Sequence, residues 1–173
     1  MENRPILVAY ATREGSTREV AQAIGQSLSE HGAKVEVRAV DDITDLRPYR
    51  AVVVGSAIRA GKWLPEAVKF VKQHREDLER TMLMYFLVCA TLREDTPAHH
   101  HEVLAYLDPV RKMVEPLEMG LFAGKLDADH LPFLERMMVK VMRSPQGDWR
   151  DWTSIHAWAD GVALRLEPTA EVV

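Results

Sequence analysis

The sequence predicts an α/β chain: a three-layer sandwich in which helices cover both faces of a five-stranded parallel sheet. Three observations predict it. Apolar runs of strand length recur at residues 6–10, 51–55, 81–90 and 117–123. Stretches with helical apolar spacing lie between them. A turn bearing glycine and hydroxyls, residues 12–17, joins the first strand directly to the first helix. Strands and helices in alternation make βαβ units, and right-handed crossovers wind such units into helices on both sides of one sheet.

Each element has its own warrant. Residues 6–10 are an unbroken apolar run, short enough for a buried strand. The helix at 16–31 sets Val20, Ala21, Ile24 and Leu28 on one face and stops at His31-Gly32. Residues 34–40 alternate Val35, Val37 and Ala39 with polar neighbours, the pattern of a half-buried strand. A polar connection with Pro48 leads to the Val-rich strand 51–55, which ends in a glycine turn. Ala67, Val68, Phe70 and Val71 mark the next helix, and 81–90 is the strongest central strand. Residues 98–114 read as one helix, with Val103, Leu104, Leu107 and Val110 inward. Residues 117–123 are the fifth strand. The helix 152–166 closes the chain, with Ile155, Trp158, Ala159, Val162 and Leu166 at core spacing. Residues 124–150 have no place in a minimal five-unit sandwich and read as an insertion before the last helix.

Bulk properties bound the rest. A chain of 173 residues is most simply one domain, 1–173, with room for a substantial core. Its 47% apolar and 28% charged content is that of an ordinary globular protein. A net charge of −4 gives no electrostatic footprint for nucleic acid. The single cysteine, Cys89, leaves no internal disulfide and points to inert burial at a strand end. Residues 1–10 lack the pattern of a signal peptide, and no run approaches a membrane span. The expected location is cytoplasmic, at most peripheral at the inner face of the cell membrane.

The turn after the first strand carries the chemistry. A helix N-terminus presents unpaired N–H groups and a positive dipole end, which suits an anion. Thr12, Ser16 and Thr17 add hydroxyls, and Gly15 lets backbone approach a ligand closely. No lysine lies in the turn, so neutral donors would hold the anion, which favours a monophosphate over a magnesium-bound triphosphate. The competing reading is local: Ser16 capping the helix, with Glu19 completing a capping box.

The same stretch resembles the flavodoxin signature, with Tyr10, Thr12, Gly15, Thr17 and Ala21 all in place. It departs at Ala9, where a larger apolar residue is usual, and at Glu14, where flavodoxins often carry another threonine. The resemblance implies a flavodoxin-like sandwich with strand order 2-1-3-4-5 and FMN at the switch point between the first and third strands. It places the FMN phosphate on Thr12, Arg13, Glu14, Gly15, Ser16 and Thr17. The isoalloxazine would lie between the loop after strand three (Ser56, Ala57, Ile58, Arg59, Ala60, Gly61) and the loop after strand four (Ala90, Thr91, Leu92). Trp63 or Ile58 would stand against the ring, with Trp63 packed on the second helix as the alternative.

Other motifs fall away. Gly55 to Gly61-Lys62 has the wrong spacing for a P-loop, and Trp63 replaces the hydroxyl that would hold magnesium. No GxGxxG follows a strand. His99-His100-His101 cannot converge on one ion, because consecutive helical residues point in different directions. No metal site is expected.

The insertion narrows the resemblance. Residues 131–143 form a helix with Leu134, Met137, Met138, Val141 and Met142 on a broad apolar face, and Arg136, Lys140 and Arg143 opposite. Such a face meets its own domain, a lipophilic ligand, a membrane surface or a second copy in a homodimer. This helix, the 56–61 stretch, Arg13 after Thr12 and the aromatic entry to the last helix resemble the menaquinone-dependent protoporphyrinogen oxidase branch of flavodoxin-like proteins. That branch implies an FMN enzyme of haem synthesis with no side-chain catalytic base, taking hydrogen from a porphyrinogen and passing it to a quinone. The alternatives are a flavodoxin-type electron carrier, an FMN-dependent quinone reductase, and an interaction module without a cofactor.

Overall fold

The computed structural model describes residues 3–167. In chain order the elements are β1 (Ile6–Ala11), α1 (Ser16–Glu30), β2 (Val35–Ala39), β3 (Ala51–Arg59), β4 (Lys62–Trp63), α2 (Pro65–Gln73), α3 (Arg75–Glu79) and β5 (Met82–Cys89). There follow α4 (Pro97–Ala105), α5 (Asp108–Arg111), β6 (Glu118–Ala123), β7 (Lys125–Leu126), α6 (Phe133–Val141), β8 (Gly147–Asp148) and α7 (Trp152–Leu166).

The five long strands are parallel and ordered β2-β1-β3-β5-β6. This is the expected 2-1-3-4-5 order, and β1 and β3 sit side by side at its switch point. Register is set by matched apolar residues, Val8 against Val37 on one side and Val53 on the other. Strand alternation then sorts the core into two layers. Ile6, Val8, Val53, Met84 and Phe86 pack under α1 and α7. Leu7, Ala9, Val52, Val54 and Leu87 face the other way, against Phe70, Val71, Val103 and Val110 of α2, α4 and α5. Each such side chain, fully buried, contributes about 1.5–3 kcal/mol of apolar transfer. Gly55 belongs in this sheet for a steric reason, since a Cβ there would lie 1.9 Å from Cζ of Phe86.

Two elements differ from expectation. The strand read at 51–55 runs on to Arg59 and doubles back as β4, with Ile58 paired to Trp63 and Arg59 to Lys62. Ala60 (φ 48°) and Gly61 (φ 69°) make the two left-handed positions that a tight hairpin demands. The helix read at 98–114 is two helices. Pro109 has no N–H to give and its ring would strike the carbonyl of Ala105, so α4 ends there and α5 starts afresh.

The insertion is a short hairpin, β7 with β8, enclosing α6. Arg150 returns it to the domain. Its guanidinium, 5% exposed, pairs with Asp148 of β8 and Glu19 of α1, and stacks 4.7 Å over Trp152. The two carboxylates hold its pKa above the ordinary arginine value, Asp148 foremost. No helix among the described residues is long and apolar enough to cross a membrane.

Candidate functional site

The site lies at the carboxyl ends of β1, β3 and β5, and Glu14 and Ser16 of the turn 12–17 line it. The Gly15 N–H donates to Thr12 Oγ1 at 3.0 Å, and the Glu19 N–H donates to the Gly15 carbonyl at 3.1 Å. Gly15 takes φ 90° as the N-cap of α1, and nothing lies within 4 Å of where its Cβ would stand. No side chain caps the helix, so the capping box is absent; Glu19 reaches Arg150 instead. The Thr17 hydroxyl is the telling atom. Thr17 is fully buried and its Oγ1 has no hydrogen-bond partner among the described residues. A buried hydroxyl without a partner costs about 1–3 kcal/mol.

The charges of this turn are paired with protein partners. Arg13 pairs bidentately with Glu66 in the first turn of α2, its second bond being 3.0 Å. That hydrogen bond raises the Arg13 pKa and lowers that of Glu66. Glu14 pairs with Arg59 at the end of β3. The Ser16 side of the turn lines the cavity, and the Thr17 hydroxyl is left buried behind it.

The strand-three residues divide. Ala57, Ile58, Arg59 and Ala60 line a cavity of about 390 Å³. Ser56 does not: it is fully buried, accepts the Leu64 N–H at 3.0 Å and donates to the Ala57 carbonyl at 2.7 Å, fastening the hairpin. Gly61 faces Tyr106, where a Cβ would sit 3.2 Å from the ring. Trp63 is packed in the core, 4% exposed and edge-on to Tyr85 of β5 at 5.3 Å, and does not line the cavity with Ile58.

After strand four, Ala90 lines the cavity and Thr91 is half-buried on a 3₁₀ turn, while Leu92 is buried in the core. Cys89 is buried there too. Any contribution of 91–92 to a ring edge comes from backbone groups. His99 engages the Glu94 carbonyl and His100 the Asp95 carboxylate, each separately.

The roof of the cavity is the insertion, through Leu126, Leu131, Glu135, Met138, Val139 and Met142. Of these, the sequence sets only Met138 and Met142 on the apolar helix face. In place, α6 is apolar and open: Met138 and, just after the helix, Met142 edge the cavity while 61% and 70% exposed, and Phe133, Leu134 and Val141 are 69–76% exposed. The helix buries no residue, so it does not dock on its own domain as an ordinary amphipathic helix would. Lys125 and Tyr106 were missed outright. Lys125 lines the cavity from the insertion. Tyr106 closes off the hairpin turn; its hydroxyl donates to Glu102, which together with burial pushes its pKa up to about 12. Neither carries a local motif that would single it out.

Comparison with known proteins agrees with this geometry. The family model described as Flavodoxin domain matches residues 7–153. The chain is 27% identical to the protoporphyrinogen IX dehydrogenase [quinone] of Leishmania major over 92% of this chain and 71% of that protein. It is 26% identical to the Escherichia coli K12 protein of the same name, over 94% and 97%. Among solved structures it resembles a flavodoxin from the domain Archaea (TM-score 0.59, 17% identity, 93% and 97% covered). It also resembles a flavoprotein in complex with FMN from Lactobacillus acidophilus (TM-score 0.52, 13% identity, 68% and 93% covered). At these identities the structural likeness is one of fold. A matched family model across most of the length, on the sheet order and switch-point turn described above, places this chain in the flavodoxin domain family.

Proposed function

We propose that this chain is an FMN-dependent oxidoreductase of the protoporphyrinogen-dehydrogenase type, passing hydrogen equivalents from a porphyrinogen to a quinone. The observation that carries the cofactor reading is the buried, unpartnered Thr17 hydroxyl at the N-terminus of α1, beside the open side of Gly15. A phosphate monoester fits that donor set. The bound flavin would supply the hydrogen-accepting chemistry. The remaining tasks belong to the protein. Thr12 holds the turn in shape, Ser16 and Thr17 bind the phosphate, and Ala57 to Ala60 with Ala90 offer close backbone walls. Leu131, Val139 and the partly exposed Met138 and Met142 give the cavity an apolar edge above. The cavity carboxylates Glu14 and Glu135 are both committed to Arg59, which agrees with a site that uses no side-chain base.

The substrate reading rests on the two relatives named for it and on the roof. A carrier works through an open flavin edge, whereas here α6 covers the cavity with apolar, adaptable methionines. The outward face of α6 (Phe133, Leu134, Met137, Val141), rimmed by Lys140 and Arg143, would lie on the lipid surface from which a quinone is drawn. The test is anaerobic turnover of the FMN-loaded protein with protoporphyrinogen and a menaquinone analogue. Porphyrin fluorescence appearing only when the quinone is present supports the enzyme. A chain that binds FMN but leaves the porphyrinogen unchanged is a carrier or a reductase of another donor. Sedimentation with anionic vesicles, lost in Leu134→Asp with Val141→Asp, tests the lipid contact separately.

A further inference from the structure

Arg59 stands where three elements meet. It is the last residue of β3, it contacts Glu14 in the anion-binding turn with one guanidinium nitrogen, and with the other it donates to Glu135 Oε2 of α6 at 2.5 Å. The Arg59 and Glu14 side chains are each 32% exposed and that of Glu135 is 42% exposed. Shielding of this degree leaves charge pairs stronger than on an open surface. Two features make the position matter. Glu14 adjoins Gly15, so its carboxylate lies beside the place where a phosphate would bring further negative charge. And α6 buries no residue of its own; among the described residues, the Arg59 pair is its one side-chain hydrogen bond to the body of the fold.

We propose that Arg59 is a positioning residue with two separable tasks. It offsets the charge of Glu14, so that the turn accepts a phosphate despite holding an acid. It also ties Glu135, and with it the whole of α6, over the cavity. The first task rests on the reading of 12–17 as the phosphate cradle; the second does not. Because one guanidinium serves both carboxylates, the phosphate floor and the insertion roof share a single anchor.

The two tasks are tested by different readouts on the same variants. The first readout is the ratio of FMN to riboflavin affinity, measured by fluorescence titration of cofactor-free protein; riboflavin lacks the phosphate, so the ratio isolates it. The second is hydrogen exchange of the α6 amides without cofactor. Arg59→Gln is expected to lower the ratio about tenfold, the effect of one uncompensated charge near a dianion, and to speed α6 exchange. Glu14→Gln is expected to raise the ratio and leave α6 exchange slow. Glu135→Gln is expected to speed α6 exchange and leave the ratio where it was. Arg59→Gln combined with Glu14→Gln is expected to recover the ratio while α6 stays fast. A ratio that Glu14→Gln does not recover overturns the first task. An α6 that exchanges no faster in Glu135→Gln overturns the second. If the unmodified chain binds no FMN, the cofactor reading and the first task fall together, and α6 exchange still decides the second. Glu14 and Glu135 are partly exposed, so their amide variants keep the fold and the test survives a poorly folding Arg59 variant.

Discussion

The hydroxyl of Thr12 accepts the Gly15 N–H at 3.0 Å, and this bond turns the chain so that α1 begins with its amides exposed to the site. Gly15 alone suits the left-handed φ of 90° there; another residue would carry about 1–2 kcal/mol of strain. Thr17 is then buried with its hydroxyl unmatched. A group that is costly in the empty turn and useful with an anion present implies opposite effects on stability and binding.

Thr17→Val tests that trade directly. Valine keeps the shape and removes the unmatched hydroxyl, so the cofactor-free protein is expected to gain about 1 kcal/mol in urea unfolding. FMN affinity is expected to fall about tenfold or more, the worth of a hydrogen bond to a charged acceptor. A variant that loses stability without cofactor, or binds FMN as before, places the phosphate elsewhere.

Gly55 and Phe86 set a second expectation. They are register partners on β3 and β5, and the ring of Phe86 covers the space a side chain at Gly55 would need. Gly55→Ala is expected to destabilise the fold by about 3 kcal/mol, the upper range for overpacking, because a central strand cannot move aside. Chemical denaturation measures it. Gly55→Ala with Phe86→Leu should return a good part of the loss, and if it does not, the clash is not the cause.

These contacts also show what could be read from the chain alone. The buried strands were plain because a run such as Val52-Val53-Val54 has no reason to exist outside a sheet covered on both faces. The turn into α1 is plain in the sequence because hydroxyl, glycine and helix start are close together. The β3–β4 hairpin was hidden: β4 is two residues long, and Ala57-Ile58-Arg59 lacks the alternation that announces a strand. The sequence therefore presents Ser56 as a ligand-facing loop residue, whereas its hydroxyl fastens the hairpin to Leu64. The break between α4 and α5 was available in Pro109, but the apolar spacing of Val103, Leu107 and Val110 runs through it. Whether α6 is covered could not be read at all, since amphipathicity gives a face and not its occupant. The Arg59 anchor joins positions 45 and 76 residues apart, a separation that no local pattern encodes.

Arg150 carries the return of the insertion. Its guanidinium is nearly buried, whereas Asp148 and Glu19 are 41% and 56% exposed and regain water when it is removed. Arg150→Met is therefore expected to destabilise the protein by about 1–2 kcal/mol, less than the breaking of a fully buried pair. Hydrogen exchange should quicken at β7 and β8 before the five-stranded sheet. Uniform quickening would mean that the hairpin is part of the main cooperative unit.

The Arg13–Glu66 pair gives a signed dependence on pH. The hydrogen bond from Arg13 holds the Glu66 pKa below its ordinary 4.5, against a smaller opposing effect of burial. A carboxyl with a depressed folded pKa contributes stability that is fully present above the unfolded value and is lost as pH falls through the folded one. Stability is thus expected to be flat near neutrality and to drop below about 4.5, as this pair and the similarly lowered Asp148 take up protons. Glu66→Gln removes one of those proton uptakes. The variant should be less stable than the unmodified chain at neutral pH, and the two stability curves should converge as the pH falls below 4.5. Urea unfolding over that range is the measurement. Parallel curves would mean that Glu66 titrates alike in the folded and unfolded chains, and that Arg13 is free to turn from α2 toward the phosphate.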